Sequence, residues 1–105
     1  MFEGGRDLSP QRLSELPEGV QLVDVREPWE HALAHLPGAI LIPLGQLEVR
    51  LGELDPRRPV VAYCHHGVRS LHALRLLAAH GFEDLAHLAG GIDAYSRYDP
   101  SVPRY

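Results

Sequence analysis

Apolar residues in this chain gather into four short continuous runs, at positions 20–25, 39–42, 60–63 and 85–88. Short apolar runs bounded by turn formers suit strands buried on both faces. Between them the apolar positions recur at helical spacing. Ser9-Pro10 reads as an N-cap followed by proline at the first helical position, with Leu13 and Leu16 on one face. Glu27-Pro28 opens a second helix, from Trp29 to about His35, which Leu36-Pro37-Gly38 closes. Leu44, Leu47, Leu51 and Leu54 follow at helical spacing up to Asp55-Pro56. From Ser70 to His80, Leu71, Leu74 and Ala78 form one stripe and Gly81 is the stop. After Gly90-Gly91 a short helix runs to about Tyr98. Strands alternating with helices predict an α/β domain with a parallel sheet covered on both faces.

The 105 residues suffice for one domain, 1–105, with no room for a second. At 45% apolar and 23% charged, the chain can bury one core, whereas disorder needs fewer apolar residues. No apolar run approaches the ~18 residues of a membrane span. Met1-Phe2-Glu3-Gly4-Gly5-Arg6-Asp7 shows neither the basic nor the apolar part of a secretory signal. The expected address is therefore cytoplasmic, with no membrane partner. A net charge of −4 without an arginine-rich run argues against nucleic acid. Cys64 is the sole cysteine, which excludes an internal disulfide and a cysteine-rich zinc site.

Charge is unevenly spread. Residues 57–82 hold four Arg, four His and no acid, a formal +4, while the remainder carries −8. At the centre lies Cys64-His65-His66-Gly67-Val68-Arg69-Ser70, between a buried strand and an amphipathic helix. In open α/β folds ligands bind beyond the carboxyl ends of strands, where Cys64 falls. Loop N–H groups and the positive end of the following helix both favour a thiolate over a thiol. Arg69 adds a fixed positive charge. A lone cysteine after a strand is often only a small buried hydrophobe. Here five loop residues with a glycine and an arginine follow it, which points to a nucleophile beside an anion site.

That loop resembles the active-site loop of rhodanese sulfurtransferases. Asp24-Val25-Arg26 resembles the family's strand-end Asp-x-Arg, and His35-Leu36-Pro37-Gly38-Ala39-Ile40 its His-hydrophobic-Pro-Gly-Ala signature. Gly90-Gly91-Ile92-Asp93-Ala94-Tyr95 resembles its closing Gly-Gly-x-x-x-aromatic element. Ala34 stands where a glycine often precedes the signature histidine, and Tyr95 where tryptophan is usual. The resemblance implies a three-layer α/β fold with a central, mainly parallel sheet. It also implies thiosulfate sulfurtransferase chemistry, in which Cys64 takes a sulfane sulfur as a persulfide and yields it to cyanide, a thiol or a protein. Arg69 and Arg26 would then hold the anionic donor, while His65, His66, Gly67 and Val68 would supply mainly backbone. No cofactor and no metal are implied. The tail 99–105 resembles the ends of rhodanese domains fused to enzymes that activate sulfur-carrier proteins. Expected partners are thus a small sulfur donor, a thiophilic acceptor, and a sulfur-carrier or other acceptor protein.

Two other readings stay open at this point, a phosphatase or arsenate reductase on the same fold and a non-catalytic docking module. Phosphatases of this kind place five residues between cysteine and arginine, and this loop has four. His31 and His35, four apart on a helix, have the spacing of a metal pair but no third ligand. Asp24 with Arg26 reads as a structural ion pair, and Trp29 and Tyr95 read as packing residues.

Overall fold

The computed structural model describes Phe2 and residues 7–105, so the expectation about the N-terminal segment falls mostly outside the described residues. Its strands are β1 (Asp7–Leu8), β2 (Gln21–Asp24), β3 (Ile40–Leu41), β4 (Val60–Tyr63) and β5 (Leu85–Leu88). All pair in parallel in the order β1-β5-β4-β2-β3. Every apolar run became a strand, and β1 is the one that the pattern did not reveal. Two residues are too few to show a period.

The helices are α1 (Pro10–Ser14), α2 (Pro28–Leu33), α3 (Val68–Ala79) and α4 (Gly91–Tyr98). Ser9 caps α1 as expected, its Oγ accepting the Arg12 N–H at 3.2 Å. The leucine-spaced segment differs from expectation. It forms two 3-10 turns, Leu44–Gln46 and Glu48–Glu53, the second broken at Arg50 (φ −113°, ψ 15°). Pro43 starts it and Gly45 and Gly52 interrupt it, which leaves too little uninterrupted sequence to propagate an α-helix.

Strand alternation divides the core. Val23, Val60, Ala62 and Leu85 pack with Ala73, Leu74 and Leu77 of α3 and with Leu47 and Leu54 of the 3-10 turns. Their neighbours Tyr63 and Leu88 face the other way, onto Ile92 and Tyr95 of α4, with Ala34 and Leu36 after α2. Val61 and Ala86 meet Leu13 of α1 on that same side. Cys64 continues the parity of Val60 and Ala62, so its sulfur lies on the α3 side of the sheet.

Polar groups tie α2 to α3 above this core. Arg69 of α3 grips Glu30 of α2 with Nη1 to Oε1 at 2.6 Å and Nη2 to Oε2 at 2.9 Å. Glu30 also accepts the Glu27 N–H at 3.1 Å and the Tyr105 hydroxyl at 3.0 Å. The Arg69 guanidinium, ahead of the smaller opposing effect of burial, brings the Glu30 carboxyl down from 4.5 to about 2. Stability from this lowering is complete above about 4.5 and disappears as pH falls to about 2. Because Arg69 is partly in water, the gain is screened. Urea midpoints should therefore fall for the native protein across this window. Glu30→Gln should fall less steeply there, since Asp24 and the other carboxylates still titrate. Parallel declines for the two proteins would show that the pair contributes nothing to folding.

Candidate active site

The loop after β4 is shaped from both of its ends. At its far end Gly67 takes φ +111°, a left-handed conformation that favours glycine, and caps α3. The helix consequently starts at Val68, two residues before the position expected from the apolar stripe. The first N–H groups of any helix lack intrahelical acceptors. In α3 one of them, from Ser70, reaches Cys64 Sγ at 3.4 Å, and the Gly67 N–H reaches the same sulfur at 3.1 Å. Cys64 itself is buried.

At its near end the loop is fastened to α4. Ile92 N–H donates to the Cys64 carbonyl at 2.9 Å and Asp93 N–H to the His65 carbonyl at 3.1 Å. Gly91 (φ +64°) makes this possible, because a Cβ there would overlap those same carbonyls. The Gly-Gly signature is thus a backbone clamp on the cysteine loop.

The remaining sequence candidates divide sharply. His65 is half-buried, and His66 and Val68 are exposed. Burial first, and then His66 beside it, lowers the His65 pKa and favours its neutral form. Arg69 is placed at the site, but both its Nη atoms are held by Glu30. Arg26 is fully buried and donates from Nε and Nη2 to Asp24 at 2.9 and 2.8 Å, from Nη2 also to the Ala34 carbonyl, and from Nη1 to Tyr105. With Tyr105 over it, Arg26 presents no surface to a donor. The ion pair expected between Asp24 and Arg26 is present. Burial opposes charge on Asp24, yet the hydrogen bonds from Arg26 and His31 outweigh it and its pKa is lowered.

Two packing expectations separate. Tyr95 is half-buried against the α4 side of the core, but Trp29 is 62% exposed and meets the Tyr105 ring edge-on at 6.5 Å. The His31–His35 pair is committed otherwise, with Nδ1 of His31 on Asp24 at 2.8 Å and Nδ1 of His35 on the His31 carbonyl at 2.9 Å. Among the described residues, His65, His66 and Asp93 bring possible metal-ligand atoms within 4.8 Å of one another. Arg97, 3.1 Å from the Asp93 carboxylate, already supplies a cation there.

Glu30, Tyr105, and His87 with Asp7 were not singled out from the sequence, and Ser70 and Gly91 entered only as members of their motifs, without a role. Tyr105 stands edge-on to His65 at 4.4 Å and bridges Arg26 to Glu30. Ser70 Oγ lies 3.6 Å from Cys64 Sγ and 2.8 Å from His87 Nδ1.

Comparison with known proteins gives the family. Residues 9–98 match the family model described as a rhodanese-like domain. A sulfurtransferase of Allochromatium vinosum is 39% identical over 88 residues, covering 84% of this chain and 81% of that protein. The thiosulfate sulfurtransferase GlpE of Shewanella oneidensis is 34% identical over 92 residues, 86% of this chain and 91% of GlpE. The probable adenylyltransferase/sulfurtransferase MoeZ of Mycobacterium tuberculosis is 39% identical over 98 residues, but the match spans only 25% of its length. Among solved structures, a rhodanese-like domain protein from Staphylococcus aureus superposes with a TM-score of 0.82 at 27% identity, over 95% of this chain and 98% of that one. With the cysteine loop, its α4 clamp and a family match over most of its length, the chain belongs to the rhodanese-like family.

Proposed function

We propose that this protein is a sulfurtransferase in which Cys64 carries sulfane sulfur from a donor such as thiosulfate to a thiophilic acceptor. The observation that carries the reading is the seat of Cys64 Sγ, which accepts the Gly67 and Ser70 N–H groups at the start of α3. Such donors favour sulfur as an anion. The thiolate attacks the outer sulfur of thiosulfate, a new S–S bond forms, and the old one breaks with its electron pair leaving on sulfite. Cyanide or a thiolate then attacks the terminal sulfur, and the electron pair of the Cys64–sulfur bond returns to Cys64. The chain has no second cysteine to resolve the persulfide, so the sulfur passes to another molecule.

Charge on the donor falls to the first-turn amides of α3, Val68 and Arg69, which have no intrahelical acceptor, and to the field of Arg69. Arg26 in this reading orders the ground beneath the loop instead of touching donor. A sulfur-carrier protein as acceptor is supported by the likeness to MoeZ and to a putative sulfur carrier protein, YrkF, of Bacillus subtilis. Among the described residues no helix is long and apolar enough to cross a membrane, and a cytoplasmic address is part of the proposal.

Intact mass after thiosulfate treatment should rise by one sulfur atom and return to the starting value on adding cyanide. Cys64→Ser should remain folded and gain nothing. No adduct on the native protein would overturn the reading.

Arg69→Ala should slow loading from thiosulfate several-fold, because the positive field beside the anionic donor is lost although the Arg69 fork is held by Glu30. Discharge of a preloaded persulfide to a neutral thiol should suffer less. Equal losses in both half-reactions, measured by stopped flow, would instead make Arg69 a loop clamp acting through Glu30.

The four-residue spacing between Cys64 and Arg69 argues against phosphate chemistry. Amides at 3.1 and 3.4 Å already close on the sulfur, whereas a phosphoryl group needs donors on several oxygens. Hydrolysis of p-nitrophenyl phosphate should be negligible beside thiosulfate:cyanide transfer. Comparable turnover of the two would favour the phosphatase reading.

A further inference from the structure

Behind Cys64 runs a line of side chains that the sulfur-transfer reading does not use. Ser70 Oγ stands 3.6 Å from Cys64 Sγ and 2.8 Å from His87 Nδ1, and His87 Nε2 stands 2.7 Å from Asp7 Oδ1. The line crosses three elements, α3, β5 and β1, and Asp7 and His87 are register partners in the sheet. His87 is buried although it lies in the strand run of apolar residues. Asp7 accepts at Nε2, so that nitrogen carries the ring proton and Nδ1 is left as an acceptor. The Ser70 hydroxyl has Nδ1 as its shortest acceptor, with the Gly67 carbonyl at 3.2 Å as the competitor. An oxygen lone pair of Ser70 is then turned to the Cys64 S–H.

We propose that Ser70, His87 and Asp7 form a proton relay that takes the Cys64 thiol proton before the sulfur attacks. The S–H bond breaks and its proton joins Ser70 Oγ, while the Ser70 proton moves to His87 Nδ1. The products are a Cys64 thiolate and a His87 imidazolium, whose Nε2–H stays on Asp7. The path reverses when Cys64 returns to the thiol. His87 and Asp7 are positioning residues, since both act on the sulfur through Ser70. The charged groups along the path are Asp7 on β1 and Arg69 on α3, the latter facing Cys64 with Glu30 of α2 paired to it. From β4 the register partner beside His87 is the uncharged Ala62.

The relay rests on the proposed role of Cys64 as nucleophile, but its test needs no sulfur donor. Iodoacetamide alkylation of Cys64, followed by mass from pH 5 to 10 (a range of about 5 units, spanning the ~8.5 of a free thiol), reads the thiolate directly. Ser70→Ala and His87→Phe should slow alkylation roughly tenfold or more near neutrality, where an unaided thiol is only a few per cent ionised. The deficit should vanish at the alkaline end. Asp7→Asn is an exposed substitution that keeps an acceptor for the Nε2–H but removes the negative charge that stabilises the His87 imidazolium. It should give the same pattern in smaller measure, and Ser70→Thr should restore the rate that Ser70→Ala loses. A profile like that of the native protein in Ser70→Ala and Asp7→Asn would overturn the relay. So would a deficit equal at every pH, which marks a packing effect. If His87→Phe does not fold, those two variants decide. Failure of the sulfurtransferase reading shows separately, as a native protein that alkylates normally yet gains no sulfur from thiosulfate.

Discussion

The cysteine loop depends first on two carbonyl groups being held away from the sulfur. Ile92 and Asp93 at the start of α4 take the oxygens of Cys64 and His65. A peptide is planar, with its N–H opposed to the preceding C=O, so fixing those oxygens turns the amides of His65 and His66 away from α4. The loop thereby receives one helix N-terminus on its outside, for its carbonyls, and a second on its inside, at the sulfur. The whole arrangement requires the absence of one atom, the Cβ of residue 91. Since α4 is itself seated on Tyr63 and Leu88 of the sheet through Ile92, the loop shape is referred to the core and not to solvent.

Beneath the loop, the charged residues serve each other before they serve any ligand. Asp24, Arg26, Glu30, Arg69 and Tyr105 form a connected set that joins the end of β2 to α2, α3 and the tail. Burying such groups is costly, and removing one partner of a buried pair leaves the other uncompensated, at about 3–5 kcal/mol. Arg26 illustrates the compensation: bidentate contact with Asp24 is joined by bonds to Ala34 and Tyr105. Ala34 tolerates the position before His35 because its backbone is extended (φ −163°), a region open to any residue.

The parallel sheet was legible because its central strands β4 and β5 are buried on both faces, and the strand segments read as short, mainly apolar runs. The candidate nucleophile stood out because composition around it is abrupt, an acid-free segment with one cysteine at a strand end. What was not legible is long-range pairing. Glu30 meets Arg69 across 39 positions, and His87 meets Asp7 across 80. His87 was hidden by its own strand, since a single histidine in the run 85–88 does not interrupt the apolar pattern. The 3-10 turns were hidden because leucines at three- and four-residue intervals serve either helix type.

The pairing of Arg69 changes the electrostatic account in a way that composition could not. Read from sequence, the segment 57–82 has four uncancelled arginines around Cys64. In the fold, Glu30 comes from outside that segment and occupies the Arg69 fork. In the proposed cycle, much of the stabilisation of sulfur anions therefore passes from a mobile charge to fixed backbone dipoles. That division suits a sulfur which, in the proposed cycle, alternates between thiolate and persulfide, each carrying one negative charge at a different distance from Cys64. Dipoles fixed by α3 and by the α4 clamp need not reorganise between the two states, whereas a flexible guanidinium would have to move. The clamp at Gly91 thus bears on reactivity as well as on shape, because it holds the donors rigid while the charge moves outward by one sulfur atom.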